Sequence, residues 1–379
     1  MVALAIALEF RRRRPDARIL MIGPDTRPGA ASPASAAMLA PYSELQNGDL
    51  DRPARLARFE LARRSVERWP RWIDEIARSA RVATPEVRRG TVVIGREDDS
   101  SLATIEEAAR AHDVTAVRMD PGSIPGFHPR IVERRRIAVR IDAESSIDPL
   151  AALATLDRGS IEAGIERMDD RVVALEPGSV ALASSTRVPV AGVVIANGAF
   201  AGDLLATRPE IARTTPPIRF GVGVAIRARL HRGIRVPDCV VRTTNRPGGH
   251  GTYFVPHGPS TCYVGATNDV SSRPRDFPRV EELRALMESA MDEFSIDLGD
   301  AECRPVIGHR PLTGDGDPML GMIGPSTWIA SGTGRDGFTC APEIATLMVD
   351  SLLANEDLFP PELRPRRIDL ESRGVYSPA

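Results

Sequence analysis

Residues 308–353 read GHRPLTGDGDPMLGMIGPSTWIASGTGRDGFTCAPEIATLMVDSLL, and no other stretch says as much about the chain. The pattern predicts a rigid turn, two short apolar strands at Met319 to Met322 and Trp328 to Ala330, a glycine-punctuated loop and an amphipathic helix. Gly332, Gly334 and Gly337 interrupt regular structure where backbone must approach something closely. From Ala341 onward, Ile344, Leu347, Met348 and Leu352 recur at helical spacing. A loop that ends at a helix start presents unpaired N–H groups, which suit an anion or a polar ring edge.

At 379 residues the chain can bury large cores and predicts two domains. A 42% hydrophobic and 26% charged composition is that of a globular protein, and a net charge of -2 gives no electrostatic case for nucleic acid. The run Arg11 to Arg14 follows an apolar helix pattern and reads as its solvated carboxyl end, where cations are favoured. No apolar run approaches the roughly 20 residues needed to span a bilayer. The apolar start precedes the arginines instead of following them, unlike a signal peptide, so a cytoplasmic location is expected. Cys239, Cys262, Cys303 and Cys340 have no metal spacing and predict free thiols and no metal site. The sequence contains no lysine, which removes Schiff-base chemistry, a Walker-type lysine and a lysine base.

Val2 to Phe10 predicts a helix and Arg18 to Ile22 a strand, together the second half of a β–α–β dinucleotide-binding unit. The loop Ala30 to Pro41 is made of small residues, and Ala54 to Ala80 predicts a long helix with Trp69 and Trp72 on its core face. Thr91 to Ile94, Ala116 to Met119 and Ile137 to Arg140 are expected strands, and Glu144 to Pro149 resembles an E-G-x-x-D-P turn. Ile161 to Ile165, Val172 to Leu175 and Val180 to Leu182 predict a β-meander, and Gly192 to Ala196 a buried parallel strand. Arg219 to Leu230, Val240 to Thr243, Thr252 to Val255 and Thr261 to Val264 alternate as antiparallel strands do. A covering helix is expected at Val280 to Phe294 and a final strand at Glu302 to Val306.

Three elements of the opening stretch stand in order: Arg310-Pro311; Asp317, Pro318 and Gly321; and Gly332, Arg335, Asp336, Gly337, Ala341 and Pro342. They resemble the carboxyl-terminal signature of the D-amino-acid oxidase superfamily of flavoproteins, in its glycine oxidase and sarcosine oxidase branch. The loop Ala30 to Pro41 resembles the segment that passes under the flavin there, with Ala37 where the family has glycine, so a positive φ would be strained. The family's glycine-rich turn precedes the first helix, whereas Met1 falls just after the place of its last glycine. The resemblance therefore leads us to expect that the reading frame starts upstream.

What the resemblance implies is an α/β (α+β) fold: a Rossmann-like FAD-binding domain and a second, mostly antiparallel β substrate domain. The FAD-binding segments would be 1–88, 141–215 and 306–379, and the substrate segments 89–140 and 216–305. Expected flavin contacts are Asp25, Ala31, Ser32, Ala37, Met38, Leu39, Ile165, Ala196, Asn197, Gly198, Gly332, Arg335, Asp336, Gly337, Phe338 and Thr339. Arg310 would clamp a substrate carboxylate with Tyr253 bonding the same group, although each residue type also occurs in ion pairs or cores. His257 and His309 could line the site or be satisfied loop histidines. The implied activity is oxidation of the C–N bond of a small amino acid or amine, by hydride transfer to flavin N5, with dioxygen or a carrier as electron acceptor. Three alternatives stay open: a dehydrogenase, an oxidase of an amino sugar or another biosynthetic intermediate, and a flavin-free pseudoenzyme. Oligomeric state is not readable from the chain.

Overall fold

The computed structural model describes residues 1–131, 136–231, 233–245 and 251–366. Residues 367–379, the end of the expected segment 306–379 with its C-terminal tail, lie outside them. The helix Val2–Arg13 begins the described chain and carries Arg11, Arg12 and Arg13 in its last turn, as cations at a carboxyl end should be. The long helix Pro53–Ala80 starts with proline at its first turn and ends on Arg81 in the left-handed region at φ 58°. Helices Val2–Arg13, Pro53–Ala80, Pro149–Glu162 and Ala341–Ala354 pack together as one layer.

Under that layer lie two small parallel pairings. Leu20–Ile22 pairs with Glu166–Met168, and Val193–Ile195 pairs with Thr327–Ser331, which is followed outward by antiparallel Met319–Gly324. Ile6, Leu61, Ile344 and Met348 pack on one face of the three-stranded sheet beside Trp328 and Leu320. Leu175, Val180 and Leu182 of the antiparallel meander Val172–Glu176, Ser179–Leu182 and Arg187–Pro189 pack on its other face, against Ile195, Ile323 and Ile329. This is the helix, sheet and β-meander layering of a Rossmann-like domain.

The second sheet has ten strands and is antiparallel except where Val240–Thr243 runs parallel to Val87–Gly95. Its spine is the pair Ile218–Arg229 and Glu302–Thr313, in register from Ile218↔Thr313 to Arg229↔Glu302. Helix Val280–Glu293 covers this sheet with Leu286 and Ala290, beside Val92, Ile226 and Phe254. The mixed architecture is the one expected. No helix among the described residues is long and apolar enough to cross a membrane.

Several local expectations are corrected. Ile161 to Ile165 is not a strand: the helix Pro149–Glu162 ends inside it and a turn follows, the helix being started by Asp148, whose side chain accepts from the Leu150 and Ala151 amides at 2.8 and 3.3 Å. Glu144 to Ile147 is not a turn, because strand Ile137–Ile147 continues to that cap. Gly308 to Thr313 is likewise the end of a twelve-residue strand and not a rigid turn. A helix at Ser100–Ala111, capped by Asp99, was not anticipated.

Candidate active site

A cavity of about 2950 Å³ lies between the two sheets. Small-molecule sites are usually about 300–1,000 Å³. Strands Leu20–Ile22 and Val193–Ile195 both line this cavity and have no neighbour on their second edges among the described residues.

The large sheet supplies one wall. Arg310 lies opposite Gly221 in the ladder, and its Nη1 donates to the Thr267 carbonyl at 2.9 Å and to Asn268 Oδ1 at 3.0 Å. Its guanidinium lies over Gly223, where a Cβ would sit 2.5 Å from both Nη atoms. Tyr253 and Tyr263 stack with ring centroids 6.1 Å apart, and the Tyr263 hydroxyl donates to the Ala34 carbonyl at 2.6 Å. Burial raises the Tyr253 phenol's pKa, against the pull of Arg310, Arg335 and Arg242. His309 lies in a strand, not a loop. It is buried beside Phe200 and Phe220, with Nε2 2.8 Å from the Arg275 carbonyl. His257 does not line the cavity; its Nε2 is 3.4 Å from the Ala36 carbonyl.

Loops supply the other walls. Ala31, Ser32, Ala37, Met38, Ala196, Asn197, Gly198, Arg335, Asp336, Gly337, Phe338 and Thr339 all line the cavity. Ala37 has φ 49°, so alanine does occupy a left-handed position. Met38–Leu39 is stitched as a two-residue strand to Ser145 and Ser146. The glycine loop is buttressed from behind. Trp69 donates its indole N–H to the Thr339 carbonyl at 2.9 Å and stacks on Phe338 at 5.5 Å, and a Cβ on Gly337 would lie 2.6 Å from Thr333 Oγ1.

Four expected contacts fall elsewhere. Asp25 is exposed and bonded through its amide to Asp169, because the chain turns outward at Pro24. Leu39 and Ile165 are core side chains, and Gly332, at φ 68°, packs on Thr313 behind the loop.

Sequence reading missed the ion pairs that hold these loops. Asp336 is matched by Arg58, whose charge burial opposes but Asp336 restores, leaving its pKa raised. Glu44 joins Arg242 and Arg335, the latter at 2.7 Å. Burial lowers the Arg335 pKa and Glu44 opposes that shift. The partners are hundreds of residues apart in the chain, and while Arg335 and Asp336 were expected at the flavin, no local pattern marked Arg58, Arg242 or Glu44.

The residues present fit an FAD. The first turn of Val2–Arg13 lines the cavity with no side chain capping it, so its amide N–H groups are available to a phosphate. Small residues let backbone approach closely: a Cβ on Gly308 would meet Ala34 at 2.8 Å. Among the described residues no His, Cys, Asp and Glu cluster is placed to hold a metal, and the four cysteines are free thiols.

Comparison with known proteins agrees with this geometry. The structure is similar to glycine oxidase from Geobacillus kaustophilus, with a TM-score of 0.81 at 21% identity over 97% of this chain and 96% of that one. Iminodiacetate oxidase from Chelativorans sp. BNC1 follows at 0.78 and 22%, covering 96% of each chain. L-proline dehydrogenase from P. horikoshii gives 0.77 and 17%, covering 97% of this chain and 94% of that one. At these identities the likeness is one of fold. No curated protein matches the sequence. The family model described as DAO, FAD dependent oxidoreductase, matches residues 1–351, and the chain belongs to that family of FAD-dependent enzymes.

Proposed function

We propose that this enzyme oxidises the C–N bond of a small amino acid or secondary amine, with Arg310 gripping the substrate carboxylate and Tyr253 bonding the same group. The observation that carries the reading is the preset Arg310 fork. Thr267 and Asn268 engage Nη1 and fix the plane of the guanidinium, and Arg310 lines the cavity. Holding the carboxylate in one orientation presents the α-C–H in one direction, which removes much of the entropic cost of reaction. Bound FAD supplies the two-electron acceptor; the protein supplies orientation, charge and exclusion of water. Similar folds in the glycine oxidase, iminodiacetate oxidase and proline dehydrogenase support an amine or amino-acid substrate. In this reading residues 1–88, 141–215 and 306–379 serve the flavin, 89–140 and 216–305 serve the substrate, and the enzyme works in the cytoplasm.

The test is anaerobic titration of the FAD-loaded protein with glycine, sarcosine, proline and iminodiacetate. At least one should bleach the flavin's visible absorbance, and readmitting air separates dioxygen from a carrier as acceptor. Arg310→Ala should lose roughly 2–4 kcal/mol of transition-state stabilisation for a carboxylate substrate. Arg310→Lys should not restore it, since an ammonium lacks the fork. Full activity of Arg310→Ala on an amino acid would refute the carboxylate clamp.

A further inference from the structure

Behind the cavity wall, Glu144 is fully buried in strand Ile137–Ile147 and does not line the cavity itself. Its Oε1 accepts the Ser43 amide N–H at 2.8 Å, one residue before Glu44. The Glu44 carboxylate joins Arg242 through one oxygen and Arg335 through the other, at 2.7 Å for the latter. Arg242 is fully buried and also donates to Asn245 Oδ1 at 2.7 Å, while Asn245 Nδ2 returns to the Glu44 carbonyl at 3.0 Å. Glu44 and Arg335 line the cavity with Tyr253 and Arg310. The chain of contacts thus leads from a buried carboxyl to the cationic end of the site.

We propose that Glu144 is a positioning residue: it holds Glu44 between Arg242 and Arg335, and its ionisation sets how strongly the cavity holds an anionic substrate. This rests on the reading of Arg310 and Tyr253 as a carboxylate site.

The groups facing Glu144 come from three elements. Tyr42 and Ser43 come from the segment after the small-residue loop, Thr91 from strand Val87–Gly95 and Arg242 from strand Val240–Thr243. Burial pushes the Glu144 carboxyl up to about 7, against the Ser43 amide, the Ser43 and Thr91 hydroxyls and Arg242, which favour the anion. Burial pushes the Tyr42 phenol up to about 12, and guanidinium groups do not titrate near neutrality, so Glu144 is the member that changes charge. With Glu144 neutral, Arg242 and Arg335 share the one carboxylate of Glu44, and Asp336 beside Arg335 is matched by Arg58, so the cluster is cationic. With Glu144 ionised, two guanidinium groups meet two carboxylates and the excess charge is gone. Carboxylate affinity should therefore fall as pH rises through about 7. Stability follows the same sign. A carboxyl whose folded pKa is raised contributes stability below its unfolded value, and that contribution is lost as pH rises through the folded one.

The test is calorimetric titration of the FAD-loaded enzyme with acetate at about pH 6 and about pH 8, with thermal melts at the same pH values. Wild type should bind acetate about tenfold more weakly at the higher pH, as expected for one unit charge a short distance away. Glu144→Gln keeps an acceptor for Ser43 but cannot ionise, so its affinity should be flat and its melting temperature should fall less over this interval. Thr91→Val removes a hydroxyl that favours the anion and should move the midpoint to higher pH. The same slope in Glu144→Gln, or acetate that binds wild type at neither pH, overturns the proposal. Absent turnover with pH-dependent acetate binding intact would instead overturn the amine oxidation reading and leave this one standing.

Discussion

Strand Ile218–Arg229 has partners on both edges: Glu302–Thr313 along its whole length, and Thr261–Gly265 and Asp269–Ser271 opposite. Leu20–Ile22 and Val193–Ile195, on the other side of the same cavity, have a partner on one edge only among the described residues. The first arrangement fixes side chains through a continuous ladder, so Arg310 and Tyr253 are set by register. The second leaves the cavity to be shaped by loops, and loops hold position through side chains packed behind them. The wall proposed for the substrate is therefore preset by backbone pairing, and the walls proposed for the flavin by individual buttresses.

The largest effect should come from removing a buttress. Trp69→Ala takes a fully buried ring from behind Phe338 and Thr339, and should cost about 3–5 kcal/mol in urea unfolding. FAD affinity should fall as well, because the loop loses its support. A stability loss with unchanged FAD affinity would break the contrast between the two walls.

A smaller and more selective effect is expected on the ladder side. Gly223→Ala places a Cβ where the Arg310 guanidinium lies. It should cost roughly 2–4 kcal/mol in kcat/KM for a carboxylate substrate, matching Arg310→Ala, with little change in FAD affinity. Wild-type kinetics in Gly223→Ala would mean that the wall yields, and that register does not preset the arginine.

The smallest change should be a gain. Ala37 is held at φ 49° in the flavin-side loop, a region that costs an L-residue about 1–2 kcal/mol. Glycine loses more chain entropy on folding, which offsets part of the relief, so Ala37→Gly should stabilise the protein by roughly 0.5–1 kcal/mol in thermal melts. A lower melting temperature would show that the alanine methyl's packing outweighs the strain.

Much of this was legible in the chain. The alternation in Ile218–Arg229 and the helical spacing in Ala341–Ala354 are local signals, and both elements form where the pattern placed them. Helix Pro149–Glu162 was obscured because Ile161 and Ile165 flank a glycine and read as strand ends, while Asp148 at its cap was read as part of a turn. The ladder partner Glu302–Thr313 was cut short because glycine and prolines punctuate it, and only pairing with Ile218–Arg229 carries it on to Thr313. Asp25 lies beyond the strand Arg18 to Ile22 and is expected to contact the flavin, but the turn at Gly23-Pro24 carries it to the surface.

Periodicity and turn residues by themselves placed most of the elements, because those signals act over a few residues, and the resemblance carried by Arg310, Asp317, Gly332 and Gly337 pointed to the fold class and the family. The charge chain from Glu144 through Glu44 to Arg242 and Arg335 was decided only in three dimensions. So was the pairing of Asp336 with Arg58, 278 residues away in the chain. Coulomb energy and desolvation depend on distance and burial, which no local pattern encodes. A carboxyl that reads as part of a turn acquires its chemistry only when the fold closes around it.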